Sequence, residues 1–259
     1  MNNSVCRITA VILLLFMYGC HKNHEKRDVL FQISTTNALL EGLYDGNVTI
    51  GELKEHGDIG LGTFHELDGE MVLVDGVCYR ITSDGTAQPA SNSAKTPFAE
   101  VTFFDTDKFM HQDTGMNLDQ FKGYIDSVAT LKNIFCVIRA DGLFKYVKTR
   151  SVPKQKKPYL RLINVVEKQP VFEFRHIRGT IVGFRLPEFM KNINVPGYHL
   201  HFITEDKKAG GHVLAMETGD IQIRLDYTSE LNVSLSESEE FSALKSTGDL
   251  SNELEKIEK

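Results

Sequence analysis

The chain has 259 residues, of which 41% are apolar, 25% charged and 9% aromatic. These ordinary globular proportions exclude a disulfide-stapled miniprotein, a collagen-like or largely disordered chain and a multi-span membrane protein. The formal charge of -6 argues against a nucleic-acid partner, since affinity for the phosphate backbone comes from Lys and Arg displacing counterions.

In chain order, the opening MNNSVCRITAVILLLFMYGC places a polar start with Arg7 before an apolar run from Ile8 to Tyr18. That run is too short to cross about 30 Å of hydrocarbon, which takes roughly 20 helical residues, but it fits the apolar segment of a secretory signal. Gly19-Cys20 stands where a cleavage site belongs, so the segment resembles a bacterial lipoprotein signal. Residues 1–19 would be removed, Cys20 would carry the lipid, residues 20–29 would form a polar tether, and the exported body would meet the membrane only through that anchor. Cys78 and Cys136 lie in apolar stretches, and there is no CxxC pair to hold zinc. Burial as small hydrophobes is their expected role, and a single disulfide between them stays open.

ALLEGLY (Ala38 to Tyr44) reads as a short helix, and Thr49 with Glu52 three residues on spells a capping box that opens another, ended by Gly57. Strands are expected over Asp58 to Leu67 and Glu70 to Thr82, the latter folded at Asp75-Gly76, where glycine tolerates the positive φ of a tight turn. Ser83 to Pro97 is a loop by composition, and Glu100 to Phe104 a strand. From Asn117 to Lys132, Leu118, Phe121, Ile125, Val128 and Leu131 recur every three or four positions, which predicts a helix with one buried stripe. Asn133 to Arg150 predicts a second hairpin, about Asp141-Gly142. SVPKQKKPY then loses the apolar period and gathers prolines and lysines, as interdomain connections do, which predicts lobes over 30–152 and 153–259. In the second lobe a helix over Leu160 to Lys168 precedes strands at Val171 to Phe174, Gly179 to Leu186, Tyr198 to Thr204, His212 to Thr218 and Asp220 to Tyr227, with amphipathic tail helices from Ser236. The resulting expectation is a strand-rich α/β or α+β fold of two lobes with mixed and antiparallel sheets.

Most of the nine histidines are scattered. The exception is Tyr198-His199-Leu200-His201-Phe202 followed by Gly210-Gly211-His212. Alternate side chains of a strand share a face, so His199 and His201 point one way. The polar loop EDKKAGG predicts a hairpin that brings His212 back beside them, within reach of a common cation. Catalytic zinc commonly takes three protein ligands and keeps an open position. Against this stands the plainer reading of half-buried strand histidines bonded to carbonyls, with His212 capping a turn. His199-x-His201-x-x-x-Glu205 also imitates part of a cupin metal motif, although His212 stands where a cupin glycine belongs. Glu70, on local pattern, is a solvated turn carboxylate. Arg150 shares the Tyr146 and Lys148 face of its strand at the lobe junction, where pockets are often found, with a surface ion pair as the alternative. Glu258 reads as solvated helix charge.

Five separated motifs change the weight of these readings: GLGTFHELDGE (Gly60 to Glu70), LVDGVCY (Leu73 to Tyr79), KTRSVPKQKKPY (Lys148 to Tyr159), RGTIVGFRLP (Arg178 to Pro187) and GYHLHFITEDKKAGGHVL (Gly197 to Leu214). In this order they resemble the alpha-acetolactate decarboxylases, from about Leu30 to Lys259. The resemblance implies that His199, His201 and His212 bind zinc at a lobe interface, that Glu70, Arg150 and Glu258 are catalytic, that Thr63 lines the substrate pocket, and that the protein is a homodimer with sheets joined across subunits. The implied reaction is decarboxylation of 2-acetolactate to acetoin through a metal-stabilised enediolate. A non-catalytic surface-binding lipoprotein is the alternative from another functional class.

Overall fold

β1 (Val29–Ile33) begins the first of two large sheets, which a two-strand ribbon accompanies, in the computed structural model, which describes residues 28–244 and 250–258. The expected signal and Cys20 lie outside the described residues, and β1 takes over where the tether was expected to end. Among the described residues no helix is long and apolar enough to cross a membrane.

After β1 comes α1 (Thr36–Leu40), whose entry is capped by Thr35 Oγ1 accepting from the Ala38 N–H at 3.2 Å. β2 (Val48–Thr49) leads into α2 (Ile50–Leu53), where both halves of the capping box form: Thr49 Oγ1 accepts from Glu52 N at 3.2 Å and Glu52 Oε2 from Thr49 N at 2.8 Å. β3 (Ile59–Thr63), β4 (Glu70–Val74) and β5 (Val77–Ile81) follow as a meander. Asp75 and Gly76, at φ +52° and +72°, make the tight turn expected there. β6 (Ala87–Pro89) and β7 (Lys95–Thr96) are short strands within the expected loop, and β8 (Ala99–Thr102) completes this part of the chain. The first sheet runs β14-β1-β8-β3-β4-β5-β6; its outer strand β14 (Glu230–Ser234) arrives from near the C-terminus and lies parallel to β1.

The second sheet starts with β9 (Lys108–Gln112), ahead of the helical stripe, which forms α3 (Leu118–Val128) and buries Phe121 and Ile125. The helix stops at Ala129, which leaves helical geometry, and Leu131 is exposed. β10 (Phe135–Arg150) is one continuous strand, followed by α4 (Leu162–Val166), β11 (Val171–Leu186), β12 (Gly197–Thr204) and β13 (Gly210–Thr228). The pairing returns on itself, because β10 bonds to both β11 and β13 while β12 bonds to β11 and β13, so four antiparallel strands close into a ring. α5 (Glu239–Ser242) and α6 (Ser251–Ile257) end the described chain.

Three expectations are corrected. Asp141-Gly142 does not turn the chain: Gly142 sits at φ +149° beside a register shift, a bulge within β10, where a Cβ would stand 2.3 Å from the Asp220 carbonyl oxygen. The segments expected at 171–174 and 179–186, and at 212–218 and 220–227, are continuous in β11 and β13. The division of the sheets does not fall near residue 152, because β9, α3 and β10 already belong to the second sheet and β14 returns to the first. The aperiodic stretch 153–159 is instead a surface segment held by ion pairs and hydrogen bonds: Lys154 to Glu66 at 2.7 Å, Lys157 to Asp45, and Tyr159 Oη to Asp45 at 2.7 Å.

Packing explains this architecture. Ile59, Leu61, Val72 and Val74 of the first sheet press on Val137, Val182, Phe184 and Ile203 of the second, while α3 covers the other side of the second sheet. A separate apolar corner gathers Leu40 of α1, Leu162 of α4 and Leu250 and Ile257 of the tail around Leu67, from the β3–β4 connection, and Val152, just after β10. Cys78 and Cys136 are both free and lie in different core clusters, and burial pushes each thiol up to about 12, so they act as small hydrophobes.

Near the end of β13, Asp226 is 1% exposed and is pushed up to about 7 by burial, with the Asp105 N–H to its Oδ2 at 3.1 Å opposing and Asp107, Asp28 and Asp105 adding to the rise. A carboxyl with a folded pKa above its unfolded value of about 3.9 costs stability once ionised, fully above pH 7, and the cost fades as pH falls towards 4. Asp226→Asn keeps the acceptor and removes the charge. It is expected to gain on the order of 2 kcal/mol at pH 8, about 5 °C in Tm, and nothing near pH 4. Equal melting temperatures at pH 8 would contradict this account.

Candidate metal centre

His199 and His201 both project from β12 and are buried. β13 reaches them only because two glycines precede His212. A Cβ on Gly210 would lie 2.2 Å from the Phe202 carbonyl oxygen, and one on Gly211, at φ +137°, 2.2 Å from that of Arg150. These glycines therefore sit inside the strand, squeezed between its neighbours, and the turn itself falls on Glu205 to Lys208. The register then places His212 opposite His201 on one side and opposite Arg150 of β10 on the other. The pairing slips between Lys148 and Thr149, and both Thr149 and Arg150 are buried, so Arg150 is no surface ion pair.

One nitrogen from each of the three imidazoles lies within 4.8 Å of the others, and the ring centroids are 5.0, 5.2 and 5.3 Å apart. His201 Nδ1 donates to the Met71 carbonyl at 2.8 Å, which fixes the tautomer and leaves Nε2 with a lone pair, 3.7 Å from Glu70 Oε2. His199 Nδ1 lies 3.5 Å from Glu100 Oε1, and His212 Nε2 lies 3.6 Å from Glu258 Oε2. Burial first, and then the charges of His199 when protonated and of Arg150, hold His201 and His212 well below the usual imidazole range, so both are neutral. For His199 burial also opposes the charge, but Glu258, Glu100 and Glu70 outweigh it and raise its pKa. Burial pushes Glu70 up to about 7, against the pull of Arg150 and His199.

The expected solvated turn carboxylate is thus a buried one. Glu70 starts β4 directly opposite Thr63 of β3, whose Oγ1 donates to the Gly69 carbonyl at 2.7 Å. Arg150 is 4% exposed and uses Nη1 to donate to Gln169 Oε1 at 2.7 Å, while its Nε has no partner. Glu258 caps the C-terminal end of α6, with its Oε2 3.6 Å from His212 Nε2. Thr63, Glu70, Arg150, His199, His212 and Glu258 line one cavity of about 50 Å³ that Leu39, Leu162, Leu254 and Ile257 wall with apolar surface; His201 completes the imidazole trio behind it. Every residue that the decarboxylase resemblance assigns to the site therefore meets here. Glu205 does not: it pairs with Arg178 on the exposed turn at 3.2 Å, so the cupin-like alternative loses its acidic ligand.

Two residues escaped the sequence reading, Gln169 behind Arg150 and Glu100 behind His199. Glu100 left one local sign, a charge embedded in the apolar strand FAEVTFF. Gln169 left none.

The donor set suits a divalent cation such as zinc. Two of the three rings are neutral, His201 Nε2 and His212 Nδ1 are buried without a hydrogen-bond partner, and two carboxylates stand just beyond. Leaving such nitrogens unpaired is costly, and a cation in their midst would remove that cost.

Comparisons with known proteins agree with this geometry. The family profile described as alpha-acetolactate decarboxylase matches residues 30–246, a stretch that contains the three histidines, Glu70 and Arg150 but stops short of Glu258. The chain is 48% identical over 232 residues to the alpha-acetolactate decarboxylase of Methanosarcina mazei, covering 90% of this chain and 81% of that one. Against its counterpart from Bacillus subtilis strain 168 it is 42% identical over 212 residues, covering 82% and 83%. The crystal structure of alpha-acetolactate decarboxylase from B. subtilis strain 168 superimposes with a TM-score of 0.87 at 40% identity, over 89% of this chain and 99% of that one.

Proposed function

Since the chain belongs to the alpha-acetolactate decarboxylase family, we propose that its three-histidine centre holds zinc and that the enzyme converts 2-acetolactate to acetoin and carbon dioxide through an enediolate. The observation that carries this reading is the convergence of His199, His201 and His212 on a small cavity that a buried arginine, the buried carboxylate of Glu70 and the half-buried one of Glu258 also face. Loss of carbon dioxide leaves an electron pair that must delocalise onto the adjacent ketone, and a bound zinc ion supplies the Lewis acidity that this charge requires.

The chain's own groups do the rest. Arg150 offers directed N–H donors to the substrate oxygens on which charge grows, and its unpaired Nε is free for that purpose. Glu70, poised near neutrality, and Glu258 carry protons to and from the substrate hydroxyl and the carbon that becomes the acetoin centre. Thr63 Oγ1, anchored on Gly69, shapes the wall beside Glu70. The apolar wall from α4 and α6 excludes water and favours the neutral product gas over the charged carboxylate.

The test is to follow acetoin from racemic acetolactate with the purified protein. Acetoin is expected to form, to cease with a strong chelator, and to return with added zinc. Full turnover by protein shown to be metal-free overturns the zinc assignment, and no acetoin from zinc-loaded protein favours the non-catalytic lipoprotein. The proposal extends to location and assembly: residues 1–19 export the protein, Cys20 anchors it to a membrane surface, and two copies pair. Mass spectrometry of the mature N-terminus and sedimentation equilibrium test these two parts.

A further inference from the structure

Behind His199 lies a buried polar chain that spans both sheets. Gln32 of β1 and Glu100 of β8 are directly opposed across the ladder, and both are 0% exposed. Gln32 Nε2 donates to the carbonyls of Ser34 and Ile193, each at 2.8 Å, which holds the segment just before β12 against the first sheet. Asn194, also 0% exposed, donates through Nδ2 to Gln32 Oε1 at 2.7 Å and to Glu100 Oε2 at 2.6 Å. Its own Oδ1 accepts from Val195 N at 2.6 Å, so its amide cannot turn over. Glu100 therefore has one oxygen committed to Asn194, while the other, Oε1, is buried with no hydrogen-bond partner and faces His199 Nδ1 at 3.5 Å.

We propose that Glu100 is the positioning residue of His199: held by Asn194 and Gln32, its free oxygen accepts the Nδ1 proton and thereby presents Nε2 to the metal. This rests on the reading of His199 as a ligand. A carboxylate can play this part because both of its oxygens accept. His201 is served in the same way by the Met71 carbonyl, so two ligands on one strand are set from the first sheet by acceptors of different strength. A carboxylate acceptor makes the imidazole a stronger donor to the metal than a neutral carbonyl does.

Glu100→Gln discriminates sharply. The Asn194 amide still requires an acceptor, so the new amide must place its oxygen there and turn its NH2 towards His199. Nδ1 must then accept, the ring proton moves to Nε2, and the metal-facing lone pair is lost. The variant is expected to bind zinc 10–100-fold more weakly, about the usual cost of losing such a partner, measured by competition with a chromogenic chelator. A lower Tm with unchanged zinc affinity would mean that Glu100 only packs the core, and the proposal fails. Should the variant not fold, the wild-type protein decides: nitrogen NMR of the zinc-loaded enzyme is expected to show His199 coordinated through Nε2 with a slowly exchanging Nδ1 proton. Coordination through Nδ1 overturns the proposal while leaving the metal centre intact. Wild-type protein that retains no zinc at all removes the metal reading and this inference together.

Discussion

His201→Ala is expected to abolish metal retention and acetoin formation together. The ring is buried, its Nδ1 is tied to the Met71 carbonyl, and its Nε2 has no hydrogen-bond partner, so the substitution removes one of the three donor nitrogens outright. Two imidazoles remain where catalytic zinc commonly takes three protein ligands. Lewis-acid stabilisation is worth several kcal/mol, so at about 1.4 kcal/mol per decade the rate should fall by at least about 10³-fold. The unpaired Met71 carbonyl adds a stability cost of roughly 1–3 kcal/mol, so circular dichroism must accompany the measurement to separate lost metal from lost fold. A folded variant with stoichiometric zinc and wild-type turnover would exclude His201 from the centre.

Arg150→Lys is expected to keep zinc but lose turnover, with kcat down by about 10²–10³-fold, the range seen when one oriented donor to a developing negative charge is removed. The guanidinium does two things at once: Nη1 is committed to Gln169 Oε1 while the rest of the fork faces the cavity. A lysine ammonium is a point charge on a flexible stem and cannot hold Gln169 and a substrate oxygen in one planar arrangement. Steady-state kinetics with metal content measured on the same samples test this. A kcat within twofold of wild type would remove Arg150 from the mechanism.

Together these variants separate the two halves of the site. His201 belongs to the ring of β10 to β13, and Arg150 enters the same row only because β13 lies between its strand and β12. The acids come from elsewhere, Glu70 from the first sheet and Glu258 from the terminal helix. The centre is thus assembled at the junction of the sheets and the helical corner, which explains why its charged groups are so thoroughly desolvated.

Several features of this protein were readable from residue order alone because their physics is local. The alternation in Tyr198 to Phe202 puts two imidazoles on one face whatever the strand pairs with. Asp75-Gly76 turns the chain because those residues tolerate positive φ, the capping box at Thr49 closes within four residues, and the stripe from Leu118 to Ile125 needs only helical periodicity. Sheet membership was not readable in this way. The cost of closing a loop grows only slowly with its length, so β14 can pair with β1 across most of the chain, and a proline- and lysine-rich surface segment can look like a domain boundary without being one. Asp141-Gly142 has the composition of a turn, yet β11 and β13 flank β10 on both sides and draw it straight through as a bulge. Glu100 and Gln169 gained their places only when a neighbouring strand or helix brought them behind a site residue. Glu258 did so when burial of Leu250 and Ile257 in the apolar corner docked the tail helix over the cavity.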